Sequence, residues 1–288
     1  MKTLFSFIIV LLFTLYSYAQ QANKANEIRE SVKRGDDVNF ANALGKTMLM
    51  EASMLGDEKL IDLLLKNKAS IDKVDTAGSS ALLFAAASGS INCVDLLLKA
   101  GANPYLYDHK LKTVLDYAKQ NGNAKLIAKL SEIIKPLKWY TFEEAIELSK
   151  KNPKKIFIDV YTEWCGWCKV MDNNTFSHPY IAKILMDNYY PVKFDAEQKA
   201  ELKFNNKVYI NPTPEVKRST HEFAVYLLNG KLGYPTVVVL DEKGSILQAA
   251  PGYKKPNEME LLLMYFASDK FKDIDWNVFQ KQFKSGLN

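Results

Sequence analysis

The segment Trp164-Cys165-Gly166-Trp167-Cys168-Lys169 stands directly behind the strand-like run Lys155-Ile156-Phe157-Ile158-Asp159-Val160-Tyr161. A Cys-x-x-Cys pair placed where a strand ends and a helix begins suits reversible disulfide chemistry. The two sulfurs are spaced to meet across the first helical turn. The first thiol faces free backbone N–H groups and the positive end of the helix dipole, both of which favour its thiolate. The ring that the bond closes is short, so little chain entropy is removed and the bond stays reducible. The spacing therefore points to a working disulfide rather than a structural staple.

Asp159 through Lys169 resembles the active-site segment of thioredoxin-fold oxidoreductases. The resemblance continues through Gly233-Tyr234-Pro235-Thr236-Val237-Val238-Val239, a hairpin-like turn at Asp241-Glu242-Lys243-Gly244, and Pro251-Gly252-Tyr253. It covers roughly residues 137–270, about half of the chain. It implies that Cys165 is the nucleophile and that Cys168 resolves the mixed disulfide. Asp159 would be a buried carboxylate that accepts the proton of Cys168. Pro235 would be a cis-proline facing the disulfide, while Trp164, Trp167, Tyr234 and Thr236 would form the substrate surface. The order of elements resembles secreted thioredoxin-like proteins with Trp-Cys-x-Trp-Cys-Lys sites. Two departures stand out: Gly166-Trp167 replaces the Gly-Pro of thioredoxin, and residues 199–231 exceed the usual single helix.

The same Cys-x-x-Cys in a zinc site would need a second pair of ligands. The remaining cysteine, Cys93, and the three histidines show no ligand spacing, so neither a metal nor a cofactor is expected. Cys93 lies within the apolar stretch Ile91-Asn92-Cys93-Val94-Asp95-Leu96-Leu97 and reads as a buried, unreactive thiol. The net charge of +5 is spread over many lysines without a dense basic block, which gives nucleic-acid binding no support. Lys2, the apolar run from Leu4 to Tyr16, and Ser17-Tyr18-Ala19 read as a signal peptide cut ahead of Gln20. The apolar run is shorter than a typical membrane span of about 20 residues. The expected location is therefore outside the cytosol, periplasmic or extracellular, with no membrane span after cleavage.

Upstream of the Cys-x-x-Cys, two 33-residue units are legible, 42–74 and 75–107. Asn42-Ala43-Leu44-Gly45-Lys46-Thr47 and Asp75-Thr76-Ala77-Gly78-Ser79-Ser80 occupy the same phase, and Gly56 aligns with Gly89. Ile61 to Leu65 likewise aligns with Val94 to Leu98. This pattern resembles the ankyrin repeat, with half a unit before it (Ala25 to Phe40) and a final unit after it (Asp108 to Ile134). The usual Thr-Pro-Leu-His is replaced by Thr47-Met48-Leu49-Met50, Ser80-Ala81-Leu82-Leu83 and Thr113-Val114-Leu115-Asp116. The imidazole bond between neighbouring loops is thereby lost. The resemblance implies a concave protein-binding face, with Asn42, Asp75, Thr76, Asp108, His109 and Lys110 as exposed turn positions.

The expected architecture is thus multidomain. After the leader (1–19), an all-α ankyrin-repeat solenoid (22–134) passes through a linker (135–140) to an α/β thioredoxin-like domain (141–288). The expected function is thiol–disulfide oxidoreduction on exported proteins, with the reductive direction favoured and an upstream redox partner required. Partners would be protein thiols or disulfides and a protein ligand of the ankyrin surface. An oxidase or isomerase is the alternative within the same chemistry. A binding module with a secondary redox pair is the alternative from another class.

Overall fold

A computed structural model describes residues 19–287. The expected signal peptide (1–19) therefore lies outside the described residues except for Ala19. Among the described residues, no helix is long and apolar enough to cross a membrane. The chain divides into two compact units, one ending at Ile134 and one spanning Lys135–Leu287.

In the first unit, residues 19–34 are helical. They are followed by three helix pairs: α1 (Met48–Leu55) with α2 (Glu58–Lys66), α3 (Ala81–Ser88) with α4 (Ile91–Lys99), and α5 (Val114–Asn121) with α6 (Ala124–Ile133). The first helix of each pair starts at a hydroxyl N-cap, Thr47, Ser80 or Thr113, whose oxygen accepts a backbone N–H that the helix cannot use. Each ends at a left-handed glycine, Gly56, Gly89 or Gly122. Gly89 is favoured by its backbone, and a side chain there would also have to displace the Asn121 amide. Its φ is +77°, and a Cβ there would lie 2.3 Å from Asn121 Oδ1 of the next unit. Leu49, Leu60, Leu64, Leu82, Leu97 and Leu126 are fully buried between the layers.

The period is visible in the backbone. Bridges Ala41–Thr47, Val74–Ser80 and Tyr107–Thr113 recur at 33 residues. In place of the missing imidazole bond, the main chain ties neighbouring turns together. Thr76 N–H donates to Leu44 O at 3.0 Å, and His109 N–H donates to Ala77 O at 2.8 Å.

One expectation fails here. Asp75 and Asp108 are buried rather than exposed. Asp75 Oδ1 accepts the N–H groups of Ala77 and Ser79, and Asp108 Oδ1 accepts those of Lys110 and Lys112. Asp108 Oδ2 also accepts the Tyr117 hydroxyl at 2.7 Å. A tight turn leaves N–H groups without partners, and a short carboxylate side chain satisfies them at no cost in reach. Asn42 does the same for Leu44 and Lys46 while staying exposed. Thr76, His109 and Lys110 remain exposed. Cys93 is buried in α4, and burial pushes its thiol up.

The second unit is mixed α/β. Its elements are α7 (Phe142–Lys151), β1 (Lys155–Tyr161), α8 (Gly166–Met171), a π turn (Asp172–Phe176), α9 (Pro179–Asn188) and β2 (Tyr189–Asp195). They continue with β3 (Leu202–Phe204), β4 (Lys207–Tyr209), α10 (Glu222–Leu227), β5 (Thr236–Leu240), β6 (Ile246–Pro251), α11 (Pro256–Ala267) and α12 (Trp276–Gln282). The main sheet has the order β2-β1-β5-β6, with β1 parallel to β2 and antiparallel to β5. Helix α7 begins at the capping box Thr141/Glu144, as the spacing of those residues predicts.

Central strand β1 is paired on both edges, and its side chains alternate between the two faces. Ile156, Ile158 and Val160 join a core with Phe142, Phe204, Tyr209 and Phe223. Phe157 points the other way, against Phe176 and Tyr189. The segment 199–231 is therefore more than a loop. Its hairpin β3–β4 and helix α10 supply much of the first core. At the β5–β6 turn, Gly244 has φ +87°, and a Cβ there would meet Phe204 Cζ at 2.7 Å. The linker is shorter than 135–140: Tyr140 N–H donates to Pro191 O at 2.8 Å, and Trp139 packs edge-on against Phe176.

Asp108→Ala strands the N–H groups of Lys110 and Lys112 and the Tyr117 hydroxyl. It should lower the stability of the repeat unit by about 2 kcal/mol, read by urea unfolding, without altering the reactivity of Cys165.

Candidate active site

Strand β1 ends at Tyr161, and the chain turns through Thr162-Glu163-Trp164 into α8. Cys165 is the N-cap of α8. Its N–H donates to Thr162 O at 3.1 Å, and its Sγ receives the Cys168 N–H at 3.1 Å. The two cysteines form a disulfide with Cα atoms 5.3 Å apart. Both are buried, Cys165 (5% exposed) slightly less than Cys168 (2%). The backbone N–H aimed at Cys165 Sγ would also favour the thiolate once the bond is reduced.

Two aromatic pairs flank the disulfide. Trp164 meets Tyr234 edge-on with ring centroids 6.1 Å apart, and Trp167 lies over Tyr253 at 5.5 Å. Both tryptophans are exposed, at 49% and 62%. The Tyr234–Pro235 peptide is cis. Pro235 is buried, and its carbonyl accepts the Gly252 N–H at 2.8 Å.

The side chain of Thr236, expected on the substrate surface, faces inward. It is buried, and its Oγ1 donates to Gly233 O at 2.7 Å. As the first residue of β5 it pairs with both Val160 and Pro251. Its hydroxyl closes the loop that carries Tyr234 and Pro235.

Three residues at the rim, Glu197, Arg218 and Tyr253, are not among the site residues expected from the sequence. Trp164 Nε1 donates to Glu197 Oε1 at 2.7 Å, and the Arg218 guanidinium lies 4.6 Å from the Trp164 ring centre. Arg218 holds a left-handed φ of +65°, a conformation that costs a non-glycine residue about 1 kcal/mol or more. Buried Asn211 stabilises its loop. The Asn211 amide donates to the carbonyls of Glu197, Gln198 and Ser219, and Asn211 Oδ1 accepts from Thr213 N and Ser219 Oγ. The third residue, Tyr253, belongs to the Pro251-Gly252-Tyr253 stretch, where its ring contact with Trp167 could not be read.

Asp159 shares the face of β1 that carries Phe157 and is completely buried. Burial pushes its carboxyl up to about 7, against the pull of the Lys193 ammonium and with a push from Asp172. Its oxygens make no close hydrogen bond among the described residues beyond the Lys193 ammonium 3.5 Å from Oδ2, and Thr162 Oγ1 likewise has none. A hollow of about 410 Å³ opens beside Cys168, lined also by Tyr161, Thr162, Glu163, Lys169 and Asp172. It is polar and roomy enough to admit water next to the second sulfur. Among the described residues, no group of three or more His, Cys, Asp or Glu is placed to hold a metal ion.

Residues 125–265 match the family model Thioredox_DsbH, described as a protein of unknown function, DUF255. Residues 15–108 and 49–136 match ankyrin repeats. The chain carries ankyrin repeats and a Thioredox_DsbH domain. It is similar to an uncharacterized protein of Caenorhabditis elegans, 34% identical over 95 residues, which are 33% of this chain and 13% of that protein. It is also similar to human spermatogenesis-associated protein 20, 30% identical over 82 residues, 28% of this chain and 10% of that protein. An uncharacterized protein of Archaeoglobus fulgidus is 33% identical over 58 residues, 20% of this chain and 46% of that protein. The chain thus spans less than half the length of these relatives, and about a tenth of the first two.

An unfolded aspartate titrates near 3.9, well below the folded value of Asp159. Between the two, the folded protein holds the extra proton. That contribution to stability is present at low pH and is lost as pH rises through about 7. Asp159→Asn should therefore stabilise the protein at pH 8 by about 2–4 kcal/mol, and the gain should shrink towards pH 4, as read by urea unfolding.

Proposed function

We propose that this protein is a thiol–disulfide oxidoreductase of thioredoxin-like fold that acts on exported proteins, working in the reductive direction. The observation that carries the reading is the Cys165–Cys168 disulfide at the start of α8, between two exposed tryptophans. The cis Tyr234–Pro235 loop supports it, since Tyr234 contacts Trp164 next to the nucleophile. The match to the Thioredox_DsbH family supports the fold, and the leader-like N-terminus supports export.

In the reduced protein, the Cys165 thiolate attacks one sulfur of a substrate disulfide. A Cys165–substrate disulfide forms, and the other substrate sulfur leaves as a thiolate that takes a proton from solvent. Cys168 then gives its proton to the Asp159 carboxylate and attacks Cys165 Sγ. The Cys165–Cys168 bond forms, the substrate bond breaks, and the second substrate sulfur leaves as a thiolate. Two electrons have passed from the protein dithiol to the substrate. An upstream dithiol partner must return them before the next cycle. Asp159 suits the middle step because its proton affinity lies near neutrality.

The ankyrin repeats would hold a protein partner. The family match and the exposed turn residues Thr76, His109 and Lys110 support this second role. A module whose purpose is that binding, with a secondary redox pair, is the competing reading.

Cys168→Ala should accumulate mixed disulfides through Cys165, seen as dithiothreitol-sensitive adducts on non-reducing gels of the cell envelope. If no adduct forms, the oxidoreductase reading fails. A reduction potential near −270 mV fits a reductase, whereas one near −120 mV would make the protein a disulfide donor instead. Removing residues 20–134 should leave reduction of a small disulfide intact and abolish capture of native partners. Unchanged capture would refute the ankyrin role.

A further inference from the structure

Lys193, in β2, serves two carboxylates at once. Its Nζ lies 3.5 Å from Asp159 Oδ2 and makes direct hydrogen-bond contact with Asp172 Oδ1. Three rings surround the ammonium: Tyr161 at 5.0 Å, Trp139 at 5.3 Å and Phe176 at 6.0 Å from the ring centres. They come from β1, from the segment before α7, and from the π turn. Aromatic faces attract a cation while keeping water off it, so the charge is felt more strongly by its two carboxylates.

The sharing is unequal. Asp172, partly exposed, takes the close contact, while the fully buried Asp159 is left with the longer one. Asp172 begins the π turn that follows α8 and also lines the hollow beside Cys168.

We propose that Asp172 is a positioning residue that draws the Lys193 ammonium away from Asp159, so that Asp159 stays able to take up the proton of Cys168. The proposal rests on Asp159 being the proton acceptor. A carboxylate paired closely with an ammonium holds its charge and is a weak base. A carboxylate buried with no cation is already protonated at neutral pH and cannot accept. Asp172 and Lys193 together hold Asp159 between these limits. The proton moves from Cys168 Sγ to the Asp159 carboxylate.

The charged and titratable groups acting on Asp159 are few. Lys193 comes from β2 and Asp172 from the π turn. Tyr161, on the same strand, has its phenol raised by burial and by Asp195, Glu163, Asp159 and Asp172. Val237 of β5 lies opposite Asp159 and carries no charge, and α9 and α11 contribute no charged group to its titration.

The test uses the oxidised full-length chain, in which Cys165 and Cys168 carry no titratable thiol. The side-chain carboxyl carbon resonance of Asp159 is followed against pH. Asp172→Asn removes a like charge and frees Lys193, so the inflection should fall by about one unit or more. Lys193→Gln should raise it, and Asp172→Glu should restore the wild-type position. A loss of local packing would not move the two variants in opposite directions. An inflection that stays put or rises in Asp172→Asn overturns the proposal. The acid limb of the rate of disulfide reduction should shift in the same directions. If the resonance moves and the rate profile does not, the charge arrangement stands and the role of Asp159 in proton transfer falls.

Discussion

The burial of β1 on both faces and both edges is the constraint on which the second unit depends. A strand in that position has no solvent side, so each of its residues must be apolar or must carry a cost. Ile156, Ile158, Val160 and Phe157 meet the first condition, and Asp159 meets the second. Desolvation there raises the carboxyl towards neutrality, and that shift gives an ordinary carboxylate the proton affinity of a base that works at physiological pH. The strand also ends where α8 begins, so the same element that buries Asp159 delivers the cysteine pair.

The surroundings of that strand are assembled from distant parts of the chain. The inserted hairpin and α10 fill the face opposite Asp159, where Phe204 and Phe223 pack against Phe142 and Tyr209 packs edge-on against Phe223. The loop between hairpin and helix, fixed internally by Asn211, carries Arg218 out to the Trp164 ring. One insertion thus contributes both core and rim. On the Asp159 face, Trp139 enters just before α7 and joins Tyr161 and Phe176 around Lys193. Residues that precede the first element of the sheet thus contribute to the surroundings of Lys193.

The repeat unit follows a different economy. Its contacts run between neighbouring helices and between turns one period apart, so its structure is local in sequence. The N-cap hydroxyls, left-handed glycines and turn carboxylates each satisfy backbone groups within a few residues. That is why the replacement of Thr-Pro-Leu-His is tolerated: main-chain bonds such as His109 N–H to Ala77 O do the tying instead.

The sequence by itself determined what depends on short spacing. The cysteine pair at a strand–helix junction, the capping box at Thr141 and the 33-residue period are all matters of short spacing. The cis-proline and the buried Asp159 were legible only through resemblance to a family. The tertiary structure alone decided which side of each residue faces water. Asp75 and Asp108 looked like exposed turn residues, yet the turn N–H groups draw them inward. Thr236 followed the cis-proline like a surface residue, yet pairing on both edges of β5 buries it. Lys193, Asp172 and Trp139 lie tens of residues apart, and only the folded chain brings the carboxylate and the ring to the Lys193 ammonium. Composition and periodicity report the local energy of a residue, whereas the field at Asp159 is set by groups that meet only once the chain has folded.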